Sequence, residues 1–595
     1  MLNLFAALIN LNHPDSYLNY SFLSISLANL ILIVIMLIIF GLAVSLPFPG
    51  NKKHKDEIVN HSDGFKSSSE QLTPVVKNGL WTYKLRRIWL KFLPPEKMLP
   101  DSQPAYVSSW IYVFGVASLA ALGMAIISGL CLAIGGVDWW HTSQIGHFVN
   151  SVHLWSVEAF MAFLVIHLWG KFWLASWRGK RALTWMTGVL AFLVSVMEAF
   201  TGYLSQQNFS SQWIATNGKD AFNAVGVGSF FNLMNFGQMI LWHVVLIPLV
   251  LVVIVAIHII LVRIRGVSHP LPVKRPKTAQ QKLLAQKADN QEWTGPNRRY
   301  DILKEGTIAF VIVFVLVIGL AFLLSSPDKP PVTVQEWASL APKDFIATTA
   351  SELDGTSNTA TYGPPYNHGH HQVQKLGFSW QLLVGVREPI NTAQTFVIQP
   401  LEKSSLDNPR LALALNEYNQ ASRQLQKIWS TNYASVVTKV KIINGQAVVP
   451  KINDGPVPTL INNEYILARS GAIDADLLSQ HPFYGTNYTK PLLFIEDGNY
   501  FSSLAKKDHL YGTQWGVMNE SGSYPGQPWL WLYTLWYQVP GFATSVNVDL
   551  IAVYLTTLAS ALLMFVPFIP GLRDIPRYIP IHKLIYRQYH KYHKN

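Results

Sequence analysis

The chain alternates between long apolar runs and polar stretches in which the basic residues gather. Several apolar runs reach the length of about 20 residues that a helix needs to cross the hydrocarbon core of a bilayer. Because backbone polar groups must be satisfied inside lipid, these runs should be helices. The pattern predicts seven membrane-spanning helices, at 22–47, 108–134, 148–172, 183–206, 235–263, 306–325 and 546–569.

The polar stretches divide the chain into five regions. They are an N-terminal region with an extra spanning helix and a cytoplasmic amphipathic segment (1–106), a four-helix core (107–265), a cytoplasmic loop with the sixth helix (266–325), an extracytoplasmic insert (326–545), and a last helix with a basic cytoplasmic tail (546–595). We expect an all-α transmembrane fold that carries one inserted domain.

Two of these regions have a recognisable internal pattern. The segment KLRRIWLKFL at 84–93 places basic residues around Trp and Leu, which is typical of a helix lying at a membrane surface. The insert combines a helical pattern at 406–429 with strand-like pieces at 434–452. The insert is therefore predicted to be a mixed α/β domain.

The charge of the chain follows the apolar pattern. Charged residues make up only 13% of the chain and the net charge is +12, while the mean hydropathy is +0.21. Basic clusters occupy the connections at 47–106, 171–182, 263–305 and 570–595 and avoid the alternate ones. The positive-inside rule then puts the N-terminus and the insert outside and the C-terminus in the cytoplasm of a multi-pass plasma-membrane protein. No basic stripe interleaved with aromatics is present, which argues against a nucleic-acid partner.

Four histidines stand inside the predicted spans. His153 and His167 lie 14 residues apart on one span, and His243 and His258 lie 15 apart on another. At about 100° per residue, each pair shares one helix face and is separated by about 21–22 Å along the axis. Both helices run inward, so His153 and His243 face each other at the outer level and His167 and His258 at the inner level. This arrangement predicts two haem irons, each held by two histidines.

Glycines repeat the same interval on the neighbouring spans. Gly115 and Gly129 are 14 residues apart in the second span, and Gly188 and Gly202 are 14 apart in the fourth. A haem wedged between helices needs positions without a side chain where the macrocycle meets the backbone. Membrane glycines otherwise serve helix packing. The shared interval favours haem contact over packing and predicts one glycine per helix beside each macrocycle.

The remaining chemistry points to histidine-held haem. The single cysteine, Cys131, cannot form a disulfide within the chain, and no CxxCH motif is present. Two b-type haems, bound without a covalent link, are the expected cofactors. Ligation by two imidazoles saturates the iron, which suits electron transfer rather than oxygen chemistry.

These residues resemble cytochrome b of the quinol–cytochrome c (bc-type) and b–f-type complexes. The stretches SVHLWSVEAFMAFLVIHLW, RGKRALTWMTGVLAFLVSVMEAFTGYL and LWHVVLIPLVLVVIVAIHIILVRIRGVSHP carry the resemblance. It is strong over about 107–325 and weaker over 525–570. It implies a quinol-oxidising site near the outer haem, a quinone-reducing site near the inner haem, a Rieske iron–sulfur partner, a c-type cytochrome and a homodimeric multisubunit complex.

Departures from the family pattern cluster on the outer side. The family's Pro-Glu-Trp-Tyr segment appears here as Pro528-Trp529-Leu530-Trp531, so no carboxylate stands at the glutamate's position. Trp529 and Trp531 mark this degenerate quinol segment, and Glu520 is the nearest carboxylate upstream. Asn150 replaces the arginine that precedes the first haem ligand in the family.

On the inner side, Asp301 resembles the acidic residue that lines the family's quinone-reducing site. A single interfacial aspartate also serves commonly as a helix cap, and both interpretations stay open at this point.

The expected function is that of a dihaem cytochrome b subunit in a respiratory quinol oxidoreductase. It would transfer electrons across the membrane between a quinone pool and a Rieske or c-type cytochrome partner. One alternative is a transmembrane electron conduit without a working outer quinol site, since the family glutamate is absent. A second alternative is a non-redox transporter or scaffold whose histidines serve protons or packing.

Overall fold

The computed structural model describes most of the chain. The described residues are 8–46, 91, 98–100, 102–271, 278–291, 293–478, 486–510, 520–527, 530–587 and 589. Apart from Lys91, the predicted amphipathic segment at 84–93 lies outside them.

Within this part of the chain, six helices are long and apolar enough to cross a membrane. They are Leu27–Ser45, Trp110–Gly135, Gln144–Trp173, Gly179–Ser205, Phe236–Arg265 and Ile302–Leu324. Each agrees with a predicted span, with ends that differ by a few residues. A further apolar helix, Val548–Met564, has 17 residues and corresponds to the predicted seventh span.

The first span begins later than predicted because a hairpin precedes it. Tyr17–Tyr20 pairs antiparallel with Leu23–Ser26. Ser26 then caps the helix, since its side chain accepts a hydrogen bond from the Asn29 N–H. The apolar residues just before Leu27 therefore belong to a strand, which hydropathy alone does not separate from the helix.

Small residues allow the central spans to pack closely. The second span packs most extensively against the third, the fourth against the fifth, and the sixth lies across the second and third. The buried face of the second span carries Ala117 and Ala121, and these pack with Trp155 of the third span and with Val313 and Val317 of the sixth. In lipid the hydrophobic effect does not drive helix association, which depends instead on close packing of the helices. Such small residues allow that close contact.

The two ends of the bundle carry different parts of the chain. At one end, the connection after the fourth span joins the insert: the Phe209 N–H donates to the Lys329 carbonyl at 3.0 Å, and Trp213 Nε1 donates to the Leu510 carbonyl at 2.9 Å. The N-terminal hairpin meets this end too, where the Ser24 N–H donates to Gln538 Oε1 at 2.8 Å.

The opposite end holds the basic connections. Arg178 forms an ion pair of 2.7 Å with Asp289, and Arg181 Nε donates to the Gly266 carbonyl at 3.0 Å. The C-terminal tail reaches the same end through a 3.2 Å contact between the Tyr112 and Tyr586 hydroxyls. This grouping agrees with the predicted alternation of the connections, and we refer to the insert end as outer and to this end as inner.

The helix Val548–Met564 runs from one end to the other. Its first turn meets the insert, where the Leu550 N–H donates to Gln374 Oε1 at 3.2 Å. Near its far end, the Leu563 carbonyl accepts from Trp185 Nε1, at the inner end of the fourth span, at 2.9 Å. Its contacts therefore join the two ends of the bundle.

The described part of the insert is mainly helical. Its α-helices are Val334–Leu340, Pro342–Asp354, Asn358–Thr361, Trp380–Val384, Gln399–Ser404, Pro409–Gln420, Arg423–Val436, Val457–Ser470, Ala472–Leu477, Thr489–Asp497, Asn499–Lys507 and Trp531–Leu535. Outside the spans and the insert, short helices cover Val137–Thr142, Phe209–Ala224, Ala279–Asn290, Ile575–Tyr578 and His582–Ile585.

Within the described part of the insert, the residues predicted as strand-like form one β-hairpin. Lys441–Ile443 pairs with Gln446–Val448 around Asn444 and Gly445, whose φ angles are 48° and 75°. Such positive φ values at both central positions suit a tight hairpin turn. The residues before it continue a helix instead of forming a strand, and the helical stretch predicted at 406–429 becomes two helices with Ser422 as the cap of the second.

A buried carboxylate lies within the insert core. Glu464 is completely buried in the helix Val457–Ser470, and neither of its side-chain oxygens has a hydrogen-bond partner among the described residues. Burial, with a smaller contribution from Asp476, raises the pKa of Glu464 well above 4.5. Below pH 4.5 the carboxyl is neutral in both states. Above it the unfolded chain releases the proton and the folded chain retains it, so the stability of the insert falls as the pH rises.

Glu464→Gln should therefore stabilise the insert at neutral pH and flatten its dependence on pH. The gain over the native chain should be absent near pH 4.5 and should grow by up to about 1.4 kcal/mol per pH unit above it. Thermal unfolding of the purified protein between pH 4.5 and 8 measures this difference. Glu417→Gln, at an exposed position of the helix Pro409–Gln420, is the control. An equal or larger pH dependence in Glu464→Gln would contradict the assignment.

Candidate haem sites between the membrane helices

The outer histidines face each other across the bundle. The ring centroids of His153, on the third span, and His243, on the fifth, lie 6.0 Å apart, and their planes cross at 82°. Two imidazoles that bind one metal ion through nitrogens about 2 Å away have ring centres about 6 Å apart. The spacing of this pair therefore suits a single metal ion held between the two rings.

Hydrogen bonds at Nδ1 fix the orientation of both outer rings. His153 Nδ1 lies 3.0 Å from the Ala125 carbonyl and 3.1 Å from Ser128 Oγ. His243 Nδ1 lies 3.0 Å from the Glu198 carbonyl and 3.1 Å from Glu198 Oε1. Since carbonyl and carboxylate oxygens only accept, the Nδ1 atoms carry the protons and donate. Each Nε2 then keeps its lone pair for a metal.

Glycines leave room for the histidine rings to approach these carbonyls. Gly129 follows Ala125 by four residues, and Gly202 follows Glu198 by four, so each glycine stands beside the carbonyl that the ring binds. A Cβ at Gly129 would lie 3.0 Å from His153 Cε1, and one at Gly202 would lie 2.5 Å from His243 Cε1. In the structure both glycines contact an imidazole, and their contact with a macrocycle stays a prediction.

The inner level repeats the arrangement. A Cβ at Gly115 would lie 2.9 Å from His167 Cε1, and one at Gly188 would lie 3.0 Å from His258 Cε1. His258 Nδ1 bonds with Thr187 Oγ1 at 3.1 Å and with the backbone of Thr184, four residues before Gly188.

His167 is the exception, because its Nδ1 has no partner within the described residues. The residue four before Gly115 is Ile111. It belongs to the 3₁₀ turn Trp110–Tyr112, which precedes the α-helix Phe114–Gly135. Since that turn does not follow the α-helical spacing, the relation between glycine and carbonyl seen at the other three histidines does not extend to this one.

A π-turn compensates for the unequal histidine spacings. The fifth span contains a π-helical turn at Trp242–Leu246, which includes His243. A π-turn accommodates one extra residue in an α-helix. The 15-residue interval from His243 to His258 therefore behaves like the 14-residue interval on the third span, and both pairs keep the same offset. Sequence periodicity assumes a regular helix and gives no sign of this turn.

A cavity opens beside the outer histidines. Its empty space, including the part open to solvent, is ≈ 610 Å³. The lining includes His153, His243, Glu158, Tyr203 and Glu520. Two carboxylates and two imidazoles thus meet at the outer end of the core.

Glu520 reaches this cavity because a segment of the insert returns across the bundle. The Ser521 N–H donates to Ser210 Oγ at 3.1 Å, the Tyr524 hydroxyl to the Leu324 carbonyl at 2.7 Å, and the Gly526 N–H to Asn29 Oδ1 at 2.9 Å. Burial raises the pKa of Glu520 to about 8, and a hydrogen bond from the Tyr203 hydroxyl opposes part of that rise.

The other predicted site residues lie apart from this cavity or at its edge. Trp529 is outside the described residues. Trp531 begins the helix Trp531–Leu535, is 46% exposed and does not line the cavity. Asn150 does line it, and its Oδ1 accepts from Gln206 Nε2 at 3.2 Å.

Asp301 is a helix cap. Its Oδ1 accepts from the Leu303 and Lys304 N–H groups, both at 3.0 Å, at the start of the sixth span. The side chain is exposed. Of the two interpretations open at the sequence level, the geometry supports the cap.

Two carboxylates were missed by the sequence reasoning. Glu158 lies on the third span, 5% exposed, with its Oε2 lacking a partner among the described residues. Glu198 lies on the fourth span beside His243. A signal for both was available, because an ionisable residue inside an apolar span is a functional candidate by default.

The comparisons with known proteins identify this core. Residues 158–331 match the family described as cytochrome b (N-terminal)/b6/petB. The membrane core is a divergent bc-type cytochrome b. The matched residues include His167, His243 and His258, while most of the insert lies outside the match.

Several curated proteins share this region. The chain is 26% identical over 196 residues to the cytochrome bc complex cytochrome b subunit of Chlorobaculum thiosulfatiphilum, covering 29% of this chain and 45% of that protein. It is 25% identical over 139 residues to cytochrome b6 of Heliomicrobium gestii, covering 22% and 65%. It is 25% identical over 263 residues to cytochrome b of Cereibacter sphaeroides, covering 38% and 57%. The chain thus spans about half to two thirds of the length of these relatives.

A solved structure, the hyperthermophilic respiratory Complex III, aligns with 66% of this chain and 96% of its own. The sequence identity is 14% and the TM-score 0.28.

Membership of the core in the cytochrome b family implies a multi-pass membrane protein that binds haem of the b type. The outer pair of histidines fits that group, and the inner pair repeats its glycine contacts. The outer rings are 6.0 Å apart, three of the four Nδ1 atoms are engaged away from the space between the rings, and each ring packs on a glycine.

Gly202→Ala should weaken haem binding at the outer level of this cytochrome b. The new Cβ would stand 2.5 Å from His243 Cε1, and relieving such a clash costs about 1–3 kcal/mol. Haem content per chain, from the alkaline pyridine spectrum, measures the loss. Gly123→Ala is the control, because a Cβ at Gly123 meets nothing within 4 Å. Full haem content in Gly202→Ala, or equal losses in both variants, would contradict the contact.

Proposed function

We propose that this cytochrome b holds two b-type haems and serves as the membrane subunit of a quinol oxidoreductase complex. The complex would move electrons between a quinone pool and a Rieske iron–sulfur or c-type cytochrome partner. The observation that carries the proposal is the repetition of one arrangement at two levels, a pair of histidines from the third and fifth spans with a glycine against each ring.

His153 and His243 would hold the outer haem, and His167 and His258 the inner one. Such haems, ligated by two imidazoles, supply reversible one-electron transfer. The protein orients three of these four ligands through Nδ1 and places a glycine against each ring.

The outer cavity supports a quinol-oxidising role for this end. Oxidation of a quinol to a quinone releases two electrons and two protons, so the site needs proton acceptors. Glu520 lines the cavity beside both outer histidines and receives a hydrogen bond from Tyr203. A pKa near 8 places Glu520 close to the working pH, which suits a general base. Glu158 offers a second carboxylate in the same cavity.

Glu520 would thus take the part of the glutamate that is absent between Pro528 and Leu530. Its position favours quinol oxidation over a conduit without an outer site, because a conduit has no need of a buried base beside the outer histidines. Asp301 has no comparable support at the inner end, where it caps a helix.

For the location, orientation and assembly of the complex, we keep the prediction from the sequence. We place the protein in the plasma membrane, with the N-terminus and the insert outside, as part of a homodimeric multisubunit assembly. The separation of the insert end from the basic end supports this orientation.

Replacing either outer histidine with alanine should remove one haem and leave the other. His153→Ala and His243→Ala should each reduce a potentiometric titration of the b-type absorbance from two components to one. His258→Ala should remove the other component, so the two groups of variants should retain haems of different potential. Two b-type components surviving in His153→Ala would overturn the ligand assignment.

Glu520→Gln should slow quinol oxidation and alter its pH dependence. In the native complex the rate should rise as the pH passes about 8, where Glu520 loses its proton and can act as a base. The variant should lose a factor of about 10² or more, as for other general bases, together with that rise. Steady-state quinol oxidation from pH 6 to 9 measures both, with Glu417→Gln as the exposed control. A native rate and profile in Glu520→Gln would exclude this role.

A further inference from the structure

The four histidines differ in what their Nδ1 atoms bind. His153 bonds with a carbonyl and a serine hydroxyl, and His258 with a threonine hydroxyl and the backbone of Thr184. His243 bonds with a carboxylate as well, since Glu198 Oε1 lies 3.1 Å from its Nδ1. Within the part of the chain that the structure describes, Glu198 is the carboxylate that contacts one of these rings.

The surroundings of Glu198 offer its side chain few partners other than the His243 ring. Its side chain is 18% exposed, and its second oxygen, Oε2, has no hydrogen-bond partner among the described residues. The described ion pairs include no lysine or arginine partner for it. The backbone carbonyl of the same residue binds the same Nδ1 at 3.0 Å. Both oxygens that contact His243 Nδ1 therefore come from one residue, which fixes the ring on its Nδ1 side.

We propose that Glu198 is a positioning residue that tunes the outer haem through His243. A carboxylate that accepts the Nδ1 proton increases the electron density of the imidazole and makes Nε2 a stronger donor. Ferric iron carries one more positive charge than ferrous iron, so a stronger donor favours the ferric form. The reduction potential of the outer haem is lowered by second-sphere hydrogen bonding, one of the general means by which a protein sets haem potentials.

This inference rests on the proposed role of His243 as a haem ligand. It adds a difference between the two levels, because no carboxylate contacts His167 or His258 among the described residues. The effect should accordingly be confined to the outer haem, and the inner haem becomes an internal reference in the same sample.

The test is a redox titration of the purified, haem-loaded Glu198→Gln protein. Glutamine keeps the size and a hydrogen-bonding oxygen, but its amide cannot take up the Nδ1 proton as a carboxylate can. Haem content should be unchanged, and the outer potential should rise by the equivalent of at least a tenfold shift in the reduced-to-oxidised ratio, about 59 mV for one electron. Glu198→Asp, which keeps a carboxylate, should shift the outer potential less than Glu198→Gln. Thr187→Val, which removes the neutral partner of His258, should leave the outer potential unchanged.

An unchanged outer potential in Glu198→Gln, with haem content intact, would overturn the inference and leave the haem assignment standing. If the native protein shows no b-type absorbance, the haem assignment itself fails. If Glu198→Gln loses the outer haem, the outer potential of this variant cannot be titrated, and the inference is tested on the native protein instead. Its ferric near-infrared magnetic circular dichroism should show imidazolate character at one of the two haems, and two identical neutral-imidazole signatures would overturn the inference.

Discussion

The contact between a histidine ring and a helix carbonyl beside a glycine is the interaction on which the membrane core depends. A helix carbonyl normally bonds within its own helix and lies behind the side chain four residues later. Glycine removes that side chain, and the imidazole can donate Nδ1–H to the second lone pair of the oxygen. His153 meets Ala125 in this way at 3.0 Å, and His243 meets Glu198 at 3.0 Å.

This contact determines how the spans are arranged. Each histidine must lie against the span that carries its glycine, which pairs the third span with the second and the fifth with the fourth. The two histidine-bearing spans then face each other across the space between the rings. The fifth span needs a π-turn at Trp242–Leu246 to present both of its histidines at the required offset. A returning segment of the insert brings Glu520 to the cavity beside the outer histidines.

Much of this core follows from the sequence. The apolar runs place six long helices to within a few residues, since the length of a membrane span is set by the bilayer. The paired intervals identify His153, His167, His243 and His258, because a regular helix converts an interval directly into a face. The same reasoning selected Gly115, Gly129, Gly188 and Gly202 but did not foresee the imidazole that packs on each of them, since spacing shows which residues share a level and not which side chain lies against them.

The rest depends on contacts between residues distant in the chain. Glu520 reaches the cavity beside the outer histidines through a returning segment of the insert, more than 250 residues after His243, which no local pattern reveals. For Asp301 the family resemblance suggested a role at a quinone site. In the structure its side chain caps a helix by accepting hydrogen bonds from two backbone N–H groups. The strand-like apolar residues at 434–440 became helix and turn because packing in the insert outweighs the preference of β-branched residues for strands.

A density map of the purified protein, obtained by electron cryo-microscopy, tests the central claim most directly. The account predicts two flat densities, one between His153 and His243 and the other between His167 and His258, each contacted by Nε2 from both sides. Side chains filling either space, or a macrocycle held by other residues, would contradict it.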